Sequence, residues 1–141
     1  MIKSFQGRHR FLSNFFLAPV LYDGIEYPSS EHAYQAAKSV RTSAKEYIAK
    51  LATAGAAKSY GKKVGLRPDW EDIKLDVMFQ IVSAKFSQNP ELRESLVATG
   101  EKELVEGNTW GDTFWGVCDG VGENHLGKIL MRVRKALTPT P

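Results

Sequence analysis

The alternation of apolar and polar residues divides the chain into an early extended part and a later helical part. The first third reads as strand and loop. Val20-Leu21-Tyr22 and Ile25-Glu26-Tyr27 flank Asp23-Gly24, a pair that favours the positive backbone angles of a two-residue hairpin turn. Pro28-Ser29-Ser30 ends the hairpin, and a serine there caps a helix predicted from about Glu31 to Val40. A second helix is expected from near Thr42, where Ser43 and Glu46 fit a capping box, to a stop at Gly55. Ala56 to Val64 reads as a short helix. A long one follows Pro68, from Trp70 to about Ser87. Its stripe is Trp70, Ile73, Val77, Ile81 and Ala84, widened by Leu75, Phe79, Val82 and Phe86. Asn89-Pro90 opens a further helix that Gly100 closes, and Glu103-Leu104-Val105-Glu106 reads as an edge strand. A glycine-rich loop from Gly107 to Gly122 precedes a last helix, Asn124 to Leu137. This order indicates an α+β fold, a small hairpin sheet covered by several helices. The expected organisation is one domain over residues 1–137 and a disordered tail over 138–141.

Composition narrows the setting. A chain of 141 residues is near the commonest domain size and long enough to bury a core without staples. Its single cysteine, Cys118, forms no internal disulfide, which fits a reducing compartment. No signal peptide or apolar span is drawn from the sequence, so the cytoplasm is the expected location and no membrane partner is expected. The net charge of +3 is a small excess that mildly favours a phosphate-bearing ligand. Lys62-Lys63 and the group Arg132, Arg134, Lys135 do not form the basic stripe of a dedicated nucleic-acid binder.

Two segments carry more chemistry than packing requires. In Ser29-Ser30-Glu31-His32-Ala33-Tyr34-Gln35-Ala36-Ala37-Lys38, helical spacing puts Glu31, Tyr34 or Gln35, and Lys38 on one face. Ala33, Ala36 and Ala37 leave the neighbouring surface low enough for another element to approach. Glu31 falls in the first turn, where the helix dipole favours a carboxylate. The same pattern also fits a solvated polar face beside an alanine packing face. His32 points about 100° away from Glu31 and reads equally as a hydrogen-bonded structural residue. The second segment, Asn108 to Asn124, holds Trp110, Trp115, Asp112 and Asp119 among glycines. That composition suits a loop that stacks a flat ring and supplies charge. An Ω-loop packed on its own tryptophans is the alternative.

Other chemistries lack a signal. Three scattered histidines and one cysteine give no metal-ligand spacing, so neither a metal nor a cofactor is expected. No phosphate-binding glycine fingerprint follows a strand, and nothing beside Cys118 in sequence would activate it as a nucleophile.

The two segments and their order resemble the NADAR superfamily, the YbiA-like N-glycosidases. The resemblance runs from Phe11-Leu12-Ser13-Asn14-Phe15-Phe16 through the Ser-Glu-His helix and Arg67-Pro68-Asp69-Trp70. It continues through Asp112-Thr113-Phe114-Trp115-Gly116 to Gly122-Glu123-Asn124-His125-Leu126-Gly127 and the helix beyond, so it covers nearly the whole chain. It implies a compact α+β domain that hydrolyses ribosyl C1–N bonds without a metal. Substrates in such a family are ribosylaminopyrimidine phosphates of the riboflavin pathway or, in other branches, ADP-ribose attached to guanine, free or within nucleic acid. The matching functional positions are Glu31, Trp70, Asp112 and Trp115, with Lys38 as a further one. One departure is the stretch Val117-Cys118-Asp119-Gly120-Val121, where many relatives are richer in glycine.

Cleaving such a bond passes through an oxocarbenium-like state that a carboxylate beside C1 stabilises. Glu31 and Asp112 are the expected catalytic carboxylates, with Lys38 as a possible attacking amine. Trp70 and Trp115 are expected to wall the base, and Asn14, Asn124 and Gln35 to bind the remainder of the substrate. Asn14 also reads as a turn residue, Asn124 as a helix cap and Trp70 as core. A non-catalytic ADP-ribose or nucleotide-binding module and a nucleic-acid-associated protein are the competing readings.

Overall fold

The computed structural model describes residues 1–140 and divides them into two compact units: Asn14–Asn89, and Met1–Ser13 with the segment from Pro90 onward.

The unit Asn14–Asn89 opens on an antiparallel hairpin, β1 (Leu17–Tyr22) and β2 (Ile25–Ser29). Asp23 and Gly24 take positive φ of 51° and 86°, the turn that matches the strands' own twist. Ala18 and Val20 of β1 and Tyr27 and Ser29 of β2 point inward, whereas Leu17 and Leu21 face out. Pro28 does not end the hairpin as expected; it stays within β2.

Ser29 then closes β2 and caps α1 (Ser30–Ala37) in one step, its Oγ accepting from the His32 amide at 3.1 Å. The helix ends three residues short of the expected Val40. Every residue of α1 is buried, because α1 packs against β1, β2, α2 (Thr42–Ala49), α3 (Ala54–Gly61) and α4 (Trp70–Gln88). The solvated polar face that the sequence allowed for Glu31 and Gln35 is therefore corrected.

Two helix boundaries also differ from expectation. α2 begins at an Arg41 cap without a side-chain bond, so the Ser43–Glu46 box is unused. It ends at Ala49, because Thr53 caps α3 through the Ala56 amide at 3.0 Å and Gly55 lies inside that helix.

In α4 the buried positions are Trp70, Val77, Met78, Ile81, Val82, Lys85 and Phe86, while Leu75 is exposed. Gln88 at its end pairs with the open edge of β1 like a strand residue. Its Oε1 accepts from the Leu21 amide at 2.8 Å and its Nε2 donates to the Leu21 carbonyl at 2.9 Å.

The second unit holds a 3₁₀ helix (Gly7–Leu12), α5 (Pro90–Ala98), β3 (Gly107–Asn108), β4 (Val117–Cys118) and α6 (His125–Leu137). Gly100, at φ 66°, closes the turn after α5 as its position suggested. The expected edge strand at 103–106 is reduced to one parallel bridge, Leu104 with Ile2. The regular pairing falls instead just beyond it, where β3 and β4 lie parallel. Gly116 is required there: a Cβ would sit 2.1 Å from the Glu106 carbonyl oxygen. Thr138, placed in the expected tail, is tied back by its Oγ1 to the Arg134 carbonyl at 2.7 Å. Pro141 of that tail lies outside the described residues.

Candidate active site

Glu31 is the buried acid around which the first unit is arranged. Its backbone amide donates to the Asn14 carbonyl at 3.0 Å, which fixes the start of α1 against the chain entering the hairpin. Its Oε2 accepts from Gln35 Nε2 at 2.5 Å, one helical turn on. Glu31 keeps 8% of its surface exposed and Gln35 4%. Only a glycine at position 61 permits this packing, since a Cβ there would fall 1.8 Å from Gln35 Oε1. The amide nitrogen of Gln35, a residue expected to contact substrate, donates here to Glu31.

At the C-cap of α1, Lys38 lies over the Tyr34 ring with its Nζ 5.6 Å from the centroid. Tyr34 in turn tilts against Trp70, centroids 5.2 Å apart. Trp70 itself is buried, the core arrangement that its place at a helix start allowed. The Lys38 amine is held below the usual lysine range, chiefly by burial. Glu31 opposes that shift, while the ammonium groups of Lys58, Lys62 and Lys74 add to it. Lys58 and Lys74 were not singled out from the sequence, and Lys62 entered only as half of the Lys62-Lys63 pair. The readable trace was the Lys58–Lys62 spacing on a helix that the alanines of α1 admit to close contact.

Asn14 is buried, and its Nδ2 donates weakly to Met78 Sδ at 3.5 Å. His32 is structural. Its Nε2 must donate to the Leu51 carbonyl at 2.9 Å, so its Nδ1 accepts from the Ser29 hydroxyl at 2.6 Å. Burial holds its pKa below the usual histidine value, in keeping with that neutral form.

In the second unit, Asp112 organises the loop between β3 and β4. Its Oδ1 accepts from the amides of Phe114 at 3.1 Å and Trp115 at 2.9 Å. Asn108 holds the same turn from outside through Asp112's own amide and carbonyl. The loop then caps α6: the carbonyls of Phe114 and Trp115 accept from the His125 and Leu126 amides at 3.1 and 3.0 Å. Trp115 stands edge-on to Phe114, and Trp110 is 57% exposed.

Asn124 is held by backbone groups at both ends of its amide. Its Oδ1 accepts from the Glu106 amide at 3.0 Å and its Nδ2 donates to the Leu104 carbonyl at 3.0 Å. These two bonds staple it to the segment before β3. It does not cap α6 through its side chain; it enters the helix at φ 53°.

Glu31, Gln35, Lys38, Trp70 and Asn14 therefore belong to one unit, and Asp112, Trp115 and Asn124 to the other. Among the described residues, no three His, Cys, Asp or Glu side chains gather into a metal-ligand cluster, and no helix is long and apolar enough to cross a membrane.

The model of one protein family, the NADAR domain, matches residues 3–138. The chain belongs to the NADAR family. This NADAR chain is 44% identical over 132 residues to a riboflavin biosynthesis protein of Vibrio vulnificus. That match covers 92% of the chain and 36% of the Vibrio protein, so the chain spans about a third of that relative's length. It is 39% identical over 128 residues to the N-glycosidase YbiA of Shigella flexneri, covering 89% of the chain and 79% of the relative. Its α+β fold is that of the NMR structure of YbiA from Escherichia coli, with a TM-score of 0.84 and 37% identity over 96% of this chain and 82% of that one.

Proposed function

We propose that this NADAR chain is an N-glycosidase that hydrolyses the C1–N bond of a phosphorylated ribosyl compound. The observation that carries the reading is Glu31: a buried carboxylate at the head of α1, fixed by Gln35 and lying within the field of Lys38. Such a group costs stability to bury, and an acid held this rigidly is suited to stabilise positive charge at C1. Kinship to proteins named N-glycosidase and riboflavin biosynthesis protein supports the same reaction and makes a ribosylaminopyrimidine phosphate the first substrate to try.

In the proposed reaction, Lys38 supplies the nucleophile. Its amine is neutral more readily than an exposed lysine's, because burial and three neighbouring ammonium groups disfavour the charge. The Nζ bonds to C1 as the C1–N bond breaks, and one amine proton passes to the leaving nitrogen. The sugar ring opens to an imine. Water then adds at C1 and expels the lysine, giving free amine and ribose phosphate. Glu31 stabilises the cationic character at C1 in both steps and accepts the proton of the attacking water. The lysines around Lys38 favour the phosphate. Asp112 has a proposed catalytic charge besides its hold on the loop, and Trp115 a proposed stacking role.

The test is mass spectrometry of products from a panel of ribosylaminopyrimidine phosphates and ADP-ribosylated guanine, free and in nucleic acid. Free amine or base together with the sugar phosphate supports the reading. An unchanged panel that the protein nevertheless binds would favour a recognition module.

A further inference from the structure

His32 follows the site acid in sequence, and its ring bonds to β2 on one side and to the segment between α2 and α3 on the other. The first turn of a helix leaves its amides without partners inside the helix. In α1 the Glu31 amide is taken by the Asn14 carbonyl at 3.0 Å and the His32 amide by Ser29 Oγ at 3.1 Å. The backbone that carries the Glu31 carboxylate is therefore held at two successive amides, and one of the two holds is a hydroxyl. A hydroxyl has a single proton, and where that proton points decides whether a lone pair faces the amide. Ser29 and His32 expose none of their surface, so bulk water does not compete for it. His32 Nδ1 takes the proton at 2.6 Å. Burial favours the neutral ring, whose one N–H is on Nε2 and goes to the Leu51 carbonyl at 2.9 Å.

We infer that His32 is a positioning residue for the hydrolysis: through the Ser29 hydroxyl it fixes the first turn of α1, and hence where the Glu31 carboxylate stands. The inference rests on the reading of Glu31 as the site acid. The two ring nitrogens have separate duties. Nδ1 orients the hydroxyl that caps the turn, whereas Nε2 ties α1 to the α2–α3 connection and contributes to stability. Without an acceptor at Nδ1, the hydroxyl proton turns to another partner within the buried turn, and the His32 amide loses its fixed lone pair. The turn then relaxes around Glu31. A shift of about 1 Å at a reacting group is enough to cost roughly a hundredfold in rate.

The experiment uses two substitutions that each keep one nitrogen's duty. An asparagine amide places an oxygen where Nδ1 lies, and a glutamine amide places an N–H where Nε2 lies. Steady-state kinetics on a ribosylaminopyrimidine phosphate, with melting temperatures, are measured for wild type, His32→Asn, His32→Gln, Ser29→Ala and Glu31→Gln. His32→Gln should keep the tie to Leu51 and lower kcat at least roughly tenfold with KM near wild type. His32→Asn should melt earlier, because the Leu51 carbonyl loses its donor, yet keep most of kcat in its folded fraction. A histidine that only stabilised the fold would give the same kcat per folded molecule in both. Ser29→Ala removes the hydroxyl itself and should match the kcat of His32→Gln, and the two together should cost little more than either alone. Wild-type kcat in His32→Gln, an equal loss in His32→Asn, or additive losses in the pair overturns the inference. Near wild-type turnover by Glu31→Gln would instead overturn the reading beneath it, so the two failures are distinct.

Discussion

Gln35 donates to the Glu31 carboxylate at 2.5 Å, and the space that lets it do so exists because residue 61 is glycine. A site acid is thus oriented by a contact between two helices. Gln35→Leu should lower kcat at least about tenfold with little change in KM, because it removes a hydrogen bond to a charged group and leaves the binding surface in place. Gly61→Ala should do the same from the other helix by displacing the Gln35 amide. Steady-state kinetics on both variants, with circular dichroism to confirm folding, checks this. Wild-type kcat in Gln35→Leu would show that the contact does not tune Glu31.

Lys38 is expected to leave a chemical trace. Borohydride added during turnover should reduce the imine and fix a sugar adduct on Lys38, located by peptide mass spectrometry. Lys38→Ala should then lose nearly all turnover. Absence of an adduct together with most of the turnover in Lys38→Ala would transfer the attack to water and leave Lys38 as a phosphate contact.

Asp112 separates charge from architecture. Asp112→Asn keeps an oxygen for the Phe114 and Trp115 amides, so its melting temperature should hold. Its turnover should fall at least about tenfold if the charge takes part in the reaction. Asp112→Ala should in addition loosen the turn that carries Trp115 and weaken substrate binding. Near wild-type turnover in Asp112→Asn would confine the residue to holding the loop.

Lys85 should set a pH dependence of stability. It is fully buried in α4 beside the rings of Phe16 and Phe86, and burial alone brings its pKa from 10.5 to about 7. The unfolded chain therefore binds more protons than the folded one between those values, and stability should rise with pH across that window. The slope approaches about 1.4 kcal/mol per pH unit. It should vanish above 10.5, where both states are neutral, and below about 7, where both are charged. Lys85→Met should be more stable than wild type at neutral pH and lose that slope in denaturant titrations. An unchanged slope would place the titration elsewhere.

What the sequence made legible was chiefly local. The Asp23-Gly24 turn, the Ser29 cap and the Gly100 stop are fixed by neighbouring residues, and each occurs where its chemistry placed it. Glu31, Gln35 and Lys38 could be drawn together because helical spacing alone puts them on one face. Burial of that face could not be read, since it depends on α3 reaching α1 at Gly61. The burial of Lys85 likewise depends on residues distant in sequence, Phe16 among them. The parallel pairing of β3 with β4 is two residues long and leaves no periodicity to read. The bond by which Asn124 reaches back twenty residues to the Leu104 carbonyl could not be read either, since only the fold brings the two together.

The most direct measurement is product formation by Glu31→Gln beside wild type on a ribosylaminopyrimidine phosphate. The substitution keeps an oxygen for Gln35 Nε2 and removes only the charge. Wild type should release free amine and ribose phosphate in equal amounts, while Glu31→Gln should bind the substrate with similar affinity and turn it over at least roughly a hundredfold more slowly. Near wild-type turnover by Glu31→Gln would contradict the account at its centre.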